Sequence, residues 1–175
     1  QFRTFHISLK TGFIDNSGRV VILAKFNYAR DFSEGLAVVE NDGKYGYIDS
    51  KGKFVIELSE DYSFVDDFSD GRASVMVKGR VGYLDHSGKL VIAPQFDAGF
   101  KFSEGWAAVG LGGKWGYIDQ EGKQIIPLKY GTTNSFSEGL GGVCAGLRGC
   151  GFIDKSGKEV IKLNPFLREV NNFSE

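Results

Sequence analysis

One ten-residue stretch sets the frame of this sequence: Lys114-Trp115-Gly116-Tyr117-Ile118-Asp119-Gln120-Glu121-Gly122-Lys123. Its alternating residues predict a strand from Trp115 to Asp119, a tight turn closed by Gly122, and a second strand through Ile126. The same frame recurs five times at steps of 34, 36, 34 and 35 residues, and it begins near Gly12, Gly46, Gly82, Gly116 and Gly151. A fixed period of this length indicates a tandem-repeat protein, so we predict a single repeat domain over residues 1–175.

A second landmark, an aromatic residue followed by serine, an acid and glycine, keeps the same period at Phe32, Phe68, Phe102 and Phe136, and its first three residues recur at Phe173. In the second copy, turn residues separate apolar runs at Leu36–Glu40, Lys44–Asp49 and Lys53–Ile56, and a fourth short strand is expected near Tyr62 and Phe64. No window has the apolar spacing of a long helix. The sequence therefore predicts an all-β fold of five tandem antiparallel hairpin repeats of about 35 residues each.

The two ends of the chain bear on how the repeats are arranged. The strand expected at Phe2–His6 occupies the place that Leu36–Glu40 occupies one repeat later, and Asn172–Glu175 is the segment that should precede such a strand. Complementary ends favour a propeller-like ring closed by pairing the first and last strands. The alternative is an open β-solenoid or superhelical array of the same units.

Composition excludes several kinds of partner. Hydrophobic residues make up 42% of the chain and the formal net charge is −1, with no basic patch, so we expect no nucleic-acid binding. No apolar run reaches about 18 residues, so no membrane span is predicted. Because the sequence begins at Gln1, we expect it to be processed or to be part of a longer protein.

The pattern at residues 114–119 resembles the WG-repeat (KWG-repeat) family of bacterial β-repeat proteins, as do residues 102–107 and the link at residues 91–96. The resemblance covers all five repeats but departs at the tryptophan, whose place is taken in the other copies by Thr11, Tyr45, Val81 and Cys150. It implies a β-rich scaffold without a defined catalytic activity, in large or surface-associated proteins, and so favours an exported or cell-envelope location. The variable copy number of the family favours an open array.

One aspartate opens the D-x-x-G turn of each repeat: Asp15, Asp49, Asp85, Asp119 and Asp154. A ring of carboxylates could bind cations, but calcium loops place ligands at alternate positions, and here the intervening residues vary. We therefore interpret these aspartates as turn caps that accept backbone N–H groups. Ser33 and its equivalents have no neighbouring base, so we expect them to cap their turns rather than to act as nucleophiles. Glu34 and its equivalents could be paired acids for glycoside cleavage, but turn capping or solvation is the simpler expectation.

The chain has two histidines and two cysteines, and His6 lies in the first expected strand without the sequence signature of a partner. His86 lies in an exposed turn, where other copies carry other residues, so we expect a solvated side chain, and two isolated histidines assemble no zinc site. Cys144 and Cys150 flank one turn, and either a disulfide or two buried thiols fits this position. No cofactor is predicted.

Most aromatic side chains repeat with the fold and are expected in the core between repeats. Trp106 differs, because Leu36, Arg72 and Leu140 occupy its place in other copies, and Arg72 there indicates a position that reaches solvent. We predict a partner-binding surface at Arg72 and Trp106. The leading hypothesis is a non-enzymatic scaffold that binds another protein or is a structural module of a larger bacterial protein. A carbohydrate- or cell-envelope-binding module is the alternative, followed by a hydrolase on a propeller scaffold.

Overall fold

Five antiparallel sheets follow one another along the chain in a computed structural model that describes residues 2–167 and residue 169. In each sheet the strands lie side by side in chain order. The first sheet has three strands in the described residues, β1 (Arg3–Ile7), β2 (Lys10–Ile14) and β3 (Val20–Phe26). The predicted all-β repeat fold is confirmed. Strand β1 pairs with β2 in the way that the equivalent strand of the next repeat, at Leu36–Glu40, pairs with its own neighbour.

The other four sheets each contain four strands. The second comprises β4 (Tyr28–Ala29), β5 (Ala37–Asn41), β6 (Lys44–Ile48) and β7 (Phe54–Glu57). The third comprises β8 (Tyr62–Val65), β9 (Ala73–Val77), β10 (Arg80–Leu84) and β11 (Leu90–Phe96). The fourth comprises β12 (Ala98–Gly99), β13 (Ala107–Leu111), β14 (Lys114–Ile118) and β15 (Gln124–Tyr130). The fifth comprises β16 (Thr132–Thr133), β17 (Leu140–Cys144), β18 (Cys150–Asp154) and β19 (Glu159–Asn164), with a single 3-10 turn at Gly146–Arg148.

The central hairpin of each sheet follows from local turn chemistry. Strands β5 and β6 pair from Ala37↔Ile48 to Asn41↔Lys44. The two residues between them, Asp42 and Gly43, have φ values of +51° and +82°. Two consecutive residues with positive φ form the tight turn that matches the twist of a β-hairpin, and aspartate followed by glycine is a preferred pair for it.

Successive sheets are joined by very short links. Only Asn27 separates β3 from β4, and only Asp97 and Gly131 occupy the equivalent links after β11 and β15. The exception is the link between β7 and β8, which runs from Leu58 to Asp61. The segment from β7 to the end of β8, Phe54–Val65, has 12 residues, whereas the equivalent segment Val20–Ala29 has 10, and this difference accounts for the step of 36 residues between the second and third repeats.

In the described residues the core consists of four apolar clusters, each lying between two neighbouring sheets. Between the fourth and fifth sheets, for example, Tyr117 and Ile126 of one sheet pack against Phe136, Val143 and Ile153 of the next. The tyrosines Tyr47, Tyr83 and Tyr117 are completely buried, in agreement with the expected inter-repeat core. Because a hairpin alone cannot bury such side chains, each sheet depends on its neighbours for stability.

The five sheets form a propeller-like arrangement, as expected. The segment expected to close a ring, Asn172–Glu175, lies outside the described residues. Within the described part of the chain, the glycines of the second to fifth D-x-x-G turns face an isoleucine of the preceding sheet, so that a Cβ added to Gly122 would lie 3.2 Å from Ile92. At the first turn, by contrast, an added Cβ on Gly18 would have no described atom within 4 Å.

Candidate functional site

The repeated aspartates each hold a turn closed. Asp15 Oδ1 accepts hydrogen bonds from the backbone N–H groups of Ser17 (2.9 Å) and Arg19 (3.0 Å). The same two bonds, to the second and fourth residues after the acid, occur at Asp49, Asp85, Asp119 and Asp154. The carboxylates in the described residues thus face backbone donors of their own turns.

Hydrogen bonding lowers the pKa of four of these aspartates below the ordinary value. At Asp15, Asp85 and Asp154 the first cause is the hydroxyl of a serine two residues later, which donates to the carboxylate, and at Asp49 it is the backbone N–H of Lys53. A donor favours the charged form of an acid. The turns are therefore tightest when the acids are ionised.

Acidification is expected to loosen these turns. A lowered folded-state pKa contributes stability that is present above the unfolded value of about 3.9 and is lost as the pH falls through the folded-state pKa. Thermal unfolding between pH 7 and pH 3 should show this loss, and Asp85→Asn should be less stable at pH 7 but less sensitive to acid. An Asp85→Asn chain with the same acid sensitivity as the parent would contradict this role for the carboxylate.

The serine-acid-glycine turns connect sheets, which differs from the expected capping of their own backbone. Ser33 and Leu36 already bond to each other through both backbone groups, so the turn is satisfied without a side chain. Ser33 Oγ instead donates to the carbonyl of Phe68 in the next repeat at 2.7 Å. The same bond joins Ser69 to Phe102 and Ser103 to Phe136.

The acids of these turns form a second ladder between repeats. Glu34 accepts from the backbone N–H of Gly71 at 3.0 Å, and one repeat later Asp70 accepts from Gly105 at 2.7 Å. Glu104 accepts from Gly139 in the same way, at 3.0 Å. These acids therefore bind backbone donors of the following turn, which explains why an acid recurs at this position.

Both sets of turns meet at one end of the sheets. Gln120, in a D-x-x-G turn, donates through Nε2 to the carbonyl of Asp70 at 2.7 Å, and Lys155 Nζ donates to the carbonyl of Glu104 at 2.7 Å. We call this end the turn face; it comprises the D-x-x-G turns at 15–18, 49–52, 85–88, 119–122 and 154–157 and the serine turns at 33–36, 69–72, 103–106 and 137–140.

The sequence predicted a solvated side chain for His86. In the structure this side chain lies on the turn face and contacts two other side chains. Its ring stacks on Phe68 with a centroid distance of 4.2 Å, and Nε2 lies 3.2 Å from Glu34 Oε2. The side chain remains 44% exposed. The partners belong to the preceding repeats, so a search limited to the neighbours of His86 in sequence could not find them.

Arg72 and Trp106 occupy equivalent positions in consecutive sheets of the turn face, and both are half-buried. Arg72 donates through Nε to the carbonyl of Gln120 (3.2 Å) and through Nη1 to that of Gly71 (3.0 Å). The ring of Trp106 packs against Phe136, with 4.8 Å between the ring centroids. The structure thus fixes both side chains and leaves part of each in solvent.

An ion cluster that the sequence analysis missed crosses three repeats. Arg30 Nη1 lies 2.5 Å from Asp66 Oδ1, and Lys101 Nζ lies 3.0 Å from Asp67 Oδ2. Burial alone would lower the pKa of Lys101, but the hydrogen bond to Asp67 and the charges of both acids raise it above the ordinary value. The sequence contains a signal for this cluster, because the charge changes sign between equivalent positions of successive repeats. Arg30 aligns with Asp66, and Asp67 aligns with Lys101.

Cys144 and Cys150 stand directly opposite each other at the ends of β17 and β18. Their sulfurs form a disulfide across the 3-10 turn, with the Cα atoms 4.0 Å apart. The bond therefore closes the hairpin of the fifth sheet, in which Cys150 stands where the other copies have Thr11, Tyr45, Val81 and Trp115.

We expect reduction of this disulfide to lower the free energy of unfolding by about 2 kcal/mol, the value for closing a short loop. Maleimide labelling of the denatured, unreduced chain should modify neither cysteine, and labelling after reduction should modify both. Full labelling without reductant would contradict the bond, and a Cys144→Ser, Cys150→Ser variant provides the matched control for stability.

Within the described residues, no group of three or more histidine, cysteine, aspartate or glutamate side chains could hold a metal ion. In the same part of the chain, no helix has the length and apolar character to cross a membrane.

Solved structures with the same fold are distant in sequence. The computationally designed Ika8 protein aligns with 99% of this chain at a TM-score of 0.59 and 13% identity. A eukaryotic initiation factor aligns with 91% at 0.64 and 12% identity, and BamB from Moraxella catarrhalis with 89% at 0.51 and 12% identity. The chain spans 65%, 51% and 56% of those three chains, respectively. No curated protein matches the sequence.

A family model described as the WG containing repeat matches residues 12–45, 45–80, 82–115 and 115–146. These matches cover most of the chain and follow the period set by the strand glycines. This chain therefore belongs to the WG-containing repeat family.

Proposed function

We propose that this chain is a non-enzymatic repeat scaffold that binds another protein through its turn face. The observation that carries the proposal is a difference between constant and varied positions of the repeat. Constant residues, such as the turn aspartates and serines, are engaged in bonds that build the frame. Varied residues stand beside them on the same face, and among these Arg72 and Trp106 are half-exposed in consecutive sheets.

The chemistry of these two side chains supports protein recognition. Arginine and tryptophan are enriched among the residues that contribute most to protein–protein binding, because each combines a large contact area with hydrogen-bonding groups. Arg72 is held by two carbonyl groups and Trp106 by the ring of Phe136. Side chains that are already fixed lose little conformational entropy when a partner binds.

The hydrogen bonding of the repeated acids also favours a scaffold over a hydrolase. Glycoside cleavage by two carboxyl groups requires an acid that keeps its proton near neutral pH. Hydrogen bonds instead lower the pKa of Asp15, Asp49, Asp85 and Asp154, and Glu34 and Glu104 accept from backbone N–H groups. These groups are suited to holding turns.

A photo-crosslinking amino acid at position 106 tests the proposal in extracts of the source cells. We expect one dominant protein adduct from position 106, none from position 23, where Leu23 is 76% exposed, and about tenfold less adduct when Arg72→Glu is added. Equal labelling from positions 106 and 23, or no effect of Arg72→Glu, would contradict binding at the turn face.

A carbohydrate-binding function is the second candidate, and a groove beside the link between β7 and β8 favours it. This groove has a volume of about 340 Å³ and is lined by Tyr45, Phe54, Asn41, Asp42 and Glu57, among others. Aromatic rings beside amide and carboxylate groups suit the faces and hydroxyls of a sugar. Calorimetric titration with cell-wall fragments should give heat that Phe54→Ala removes; no heat at millimolar ligand would exclude this function.

A further inference from the structure

The groove beside the link between β7 and β8 arises from a difference in strand length. In the first, third and fourth sheets the last strand has 7 residues, and its final residue is an aromatic buried in the core, as Phe96 is. In the second sheet, β7 has only 4 residues and ends at Glu57. The chain then leaves the sheet through a turn in which the N–H of Tyr62 donates to the carbonyl of Ser59 at 3.2 Å. The groove opens beside this shortened strand, which explains its place in the second sheet.

Two adjoining cavities make up this groove. The cavity of about 340 Å³ described above is joined to another of about 480 Å³, because Lys44, Glu57 and Leu58 line both. The smaller cavity contains two aromatic rings, the half-buried Tyr45 and Phe54, which is 40% exposed. We call the two cavities together the acidic groove, after the four carboxylate side chains that line it, Asp42, Glu57, Glu60 and Asp61.

Negative charge is concentrated in the acidic groove. Four acids and one lysine give it a formal charge of −3, whereas the whole chain carries −1, so the rest of the chain is slightly positive and the acidity is local. Lys44 Nζ lies 3.1 Å from Glu60 Oε1, and both side chains are mostly exposed. In the part of the chain that the structure describes, no salt bridge engages Asp42, Glu57 or Asp61. The groove therefore has an excess of carboxylates for a positively charged ligand.

The same chain shows which cation suits rings beside a carboxylate. The guanidinium carbon of Arg30 lies 5.9 Å from the ring centroid of Tyr28 and 5.7 Å from that of Phe64. Its Nη1 also lies 2.5 Å from Asp66 Oδ1. A planar guanidinium can stack on an aromatic face and donate to a carboxylate at the same time. The acidic groove presents the same components, two aromatic rings and carboxylates, to a ligand from outside.

We propose that the acidic groove binds an arginine-bearing segment of another polypeptide. Charge complementarity favours a cation, since a neutral ligand that covered these carboxylates would leave them without partners. Carboxylates line both cavities, so an extended segment with several cationic side chains matches the groove better than a single small amine. The hairpin at Asn41–Lys44 lies at the opposite end of β5 and β6 from the turn face, so this site does not depend on binding at the turn face.

A fluorescein-labelled octapeptide of alternating glycine and arginine tests the proposal by fluorescence anisotropy with the intact chain. We expect a Kd on the order of tens of micromolar at about 50 mM salt, and binding about tenfold weaker at about 500 mM, because salt screens exposed charges. A peptide with citrulline in place of arginine keeps the shape and loses the charge. It should bind at least about tenfold more weakly than the arginine peptide.

Three variants locate the binding. Glu57→Gln should weaken it about fivefold or more, because Glu57 lines both cavities. Glu159→Gln is the matched control, which removes one acid outside the groove and should leave the Kd within about twofold of the parent value. Lys44→Gln should tighten binding about threefold, because it releases Glu60 for the ligand. Tighter binding cannot result from a loss of structure.

Anisotropy that stays unchanged up to about 1 mM of the chain would overturn the proposal. Equal affinities of the parent and Glu57→Gln, or of the arginine and citrulline peptides, would also overturn it, as would weaker binding by Lys44→Gln. Heat from cell-wall fragments that Phe54→Ala removes and Glu57→Gln leaves intact, without binding of the arginine peptide, would assign the groove to a sugar instead. Circular dichroism of each variant establishes that the fold is intact.

Discussion

Gly116→Ala is expected to lower the free energy of unfolding by about 3 kcal/mol or more, or to prevent folding. Gly116 lies in β14, and the neighbouring strand β15, the fourth strand of the same sheet, passes close to this position. An added Cβ would lie 2.4 Å from the carbonyl oxygen of Ile126 and 2.8 Å from that of Pro127. Backbone atoms cannot rotate away as a side chain can, so the strand would have to separate from its neighbour.

Gly131→Ala is the matched control for this substitution. Gly131 links β15 to β16, is exposed, and would place its Cβ 3.6 Å from the nearest carbonyl oxygen, which is an ordinary contact. We expect its free energy of unfolding to stay within about 0.5 kcal/mol of the parent value. Urea denaturation followed by tryptophan fluorescence measures both variants, and equal stabilities would contradict the close strand approach at Gly116.

Tyr83→Ala is expected to cost about 3–5 kcal/mol, because it removes a completely buried ring from the contact between the third and fourth sheets. The ring packs against Phe102 at a centroid distance of 5.0 Å, and its hydroxyl donates to the carbonyl of Phe100 at 2.9 Å. Burial raises the pKa of this hydroxyl well above its ordinary value, so it remains a donor at neutral pH.

Two further variants separate the contributions of this side chain. Tyr83→Phe keeps the ring and loses one hydrogen bond, so we expect a cost of about 1 kcal/mol. Leu23→Ala truncates a large apolar side chain that is 76% exposed, and it should change the free energy of unfolding by less than about 0.5 kcal/mol. If all three variants lost similar amounts of stability, the account of the inter-sheet core would be wrong.

The parts of the fold that depend on nearby residues were predictable from the sequence. The strand around Gly116 and the turn at Asp119–Gly122 are specified by alternation and by residues that adopt positive φ, which act within a few positions. The repeat period then extended each local prediction to the whole chain. It also showed that one step is longer, at 36 residues, and the structure adds that the link between β7 and β8, Leu58–Asp61, is the irregular one.

Contacts between repeats were harder to predict, because sequence spacing does not show which face of a sheet meets its neighbour. Ser33 was expected to cap its own turn, but the backbone satisfies that turn and leaves the hydroxyl free to reach Phe68. The pairing of Arg30 with Asp66 and the stacking of His86 on Phe68 likewise join residues from different repeats. Such pairs become visible only after equivalent positions are aligned and neighbouring sheets are placed side by side.

Amide hydrogen exchange tests most directly the central claim, a repeat frame in which each sheet is stabilised by its neighbours. We expect strong protection in the hairpins β9–β10 and β13–β14, because apolar clusters pack on both sides of the third and fourth sheets. In Tyr83→Ala, whose ring lies between these two sheets, protection should fall in both hairpins together. A loss of protection confined to β9–β10 would contradict the account, because it would mean that each hairpin is stable without its neighbour.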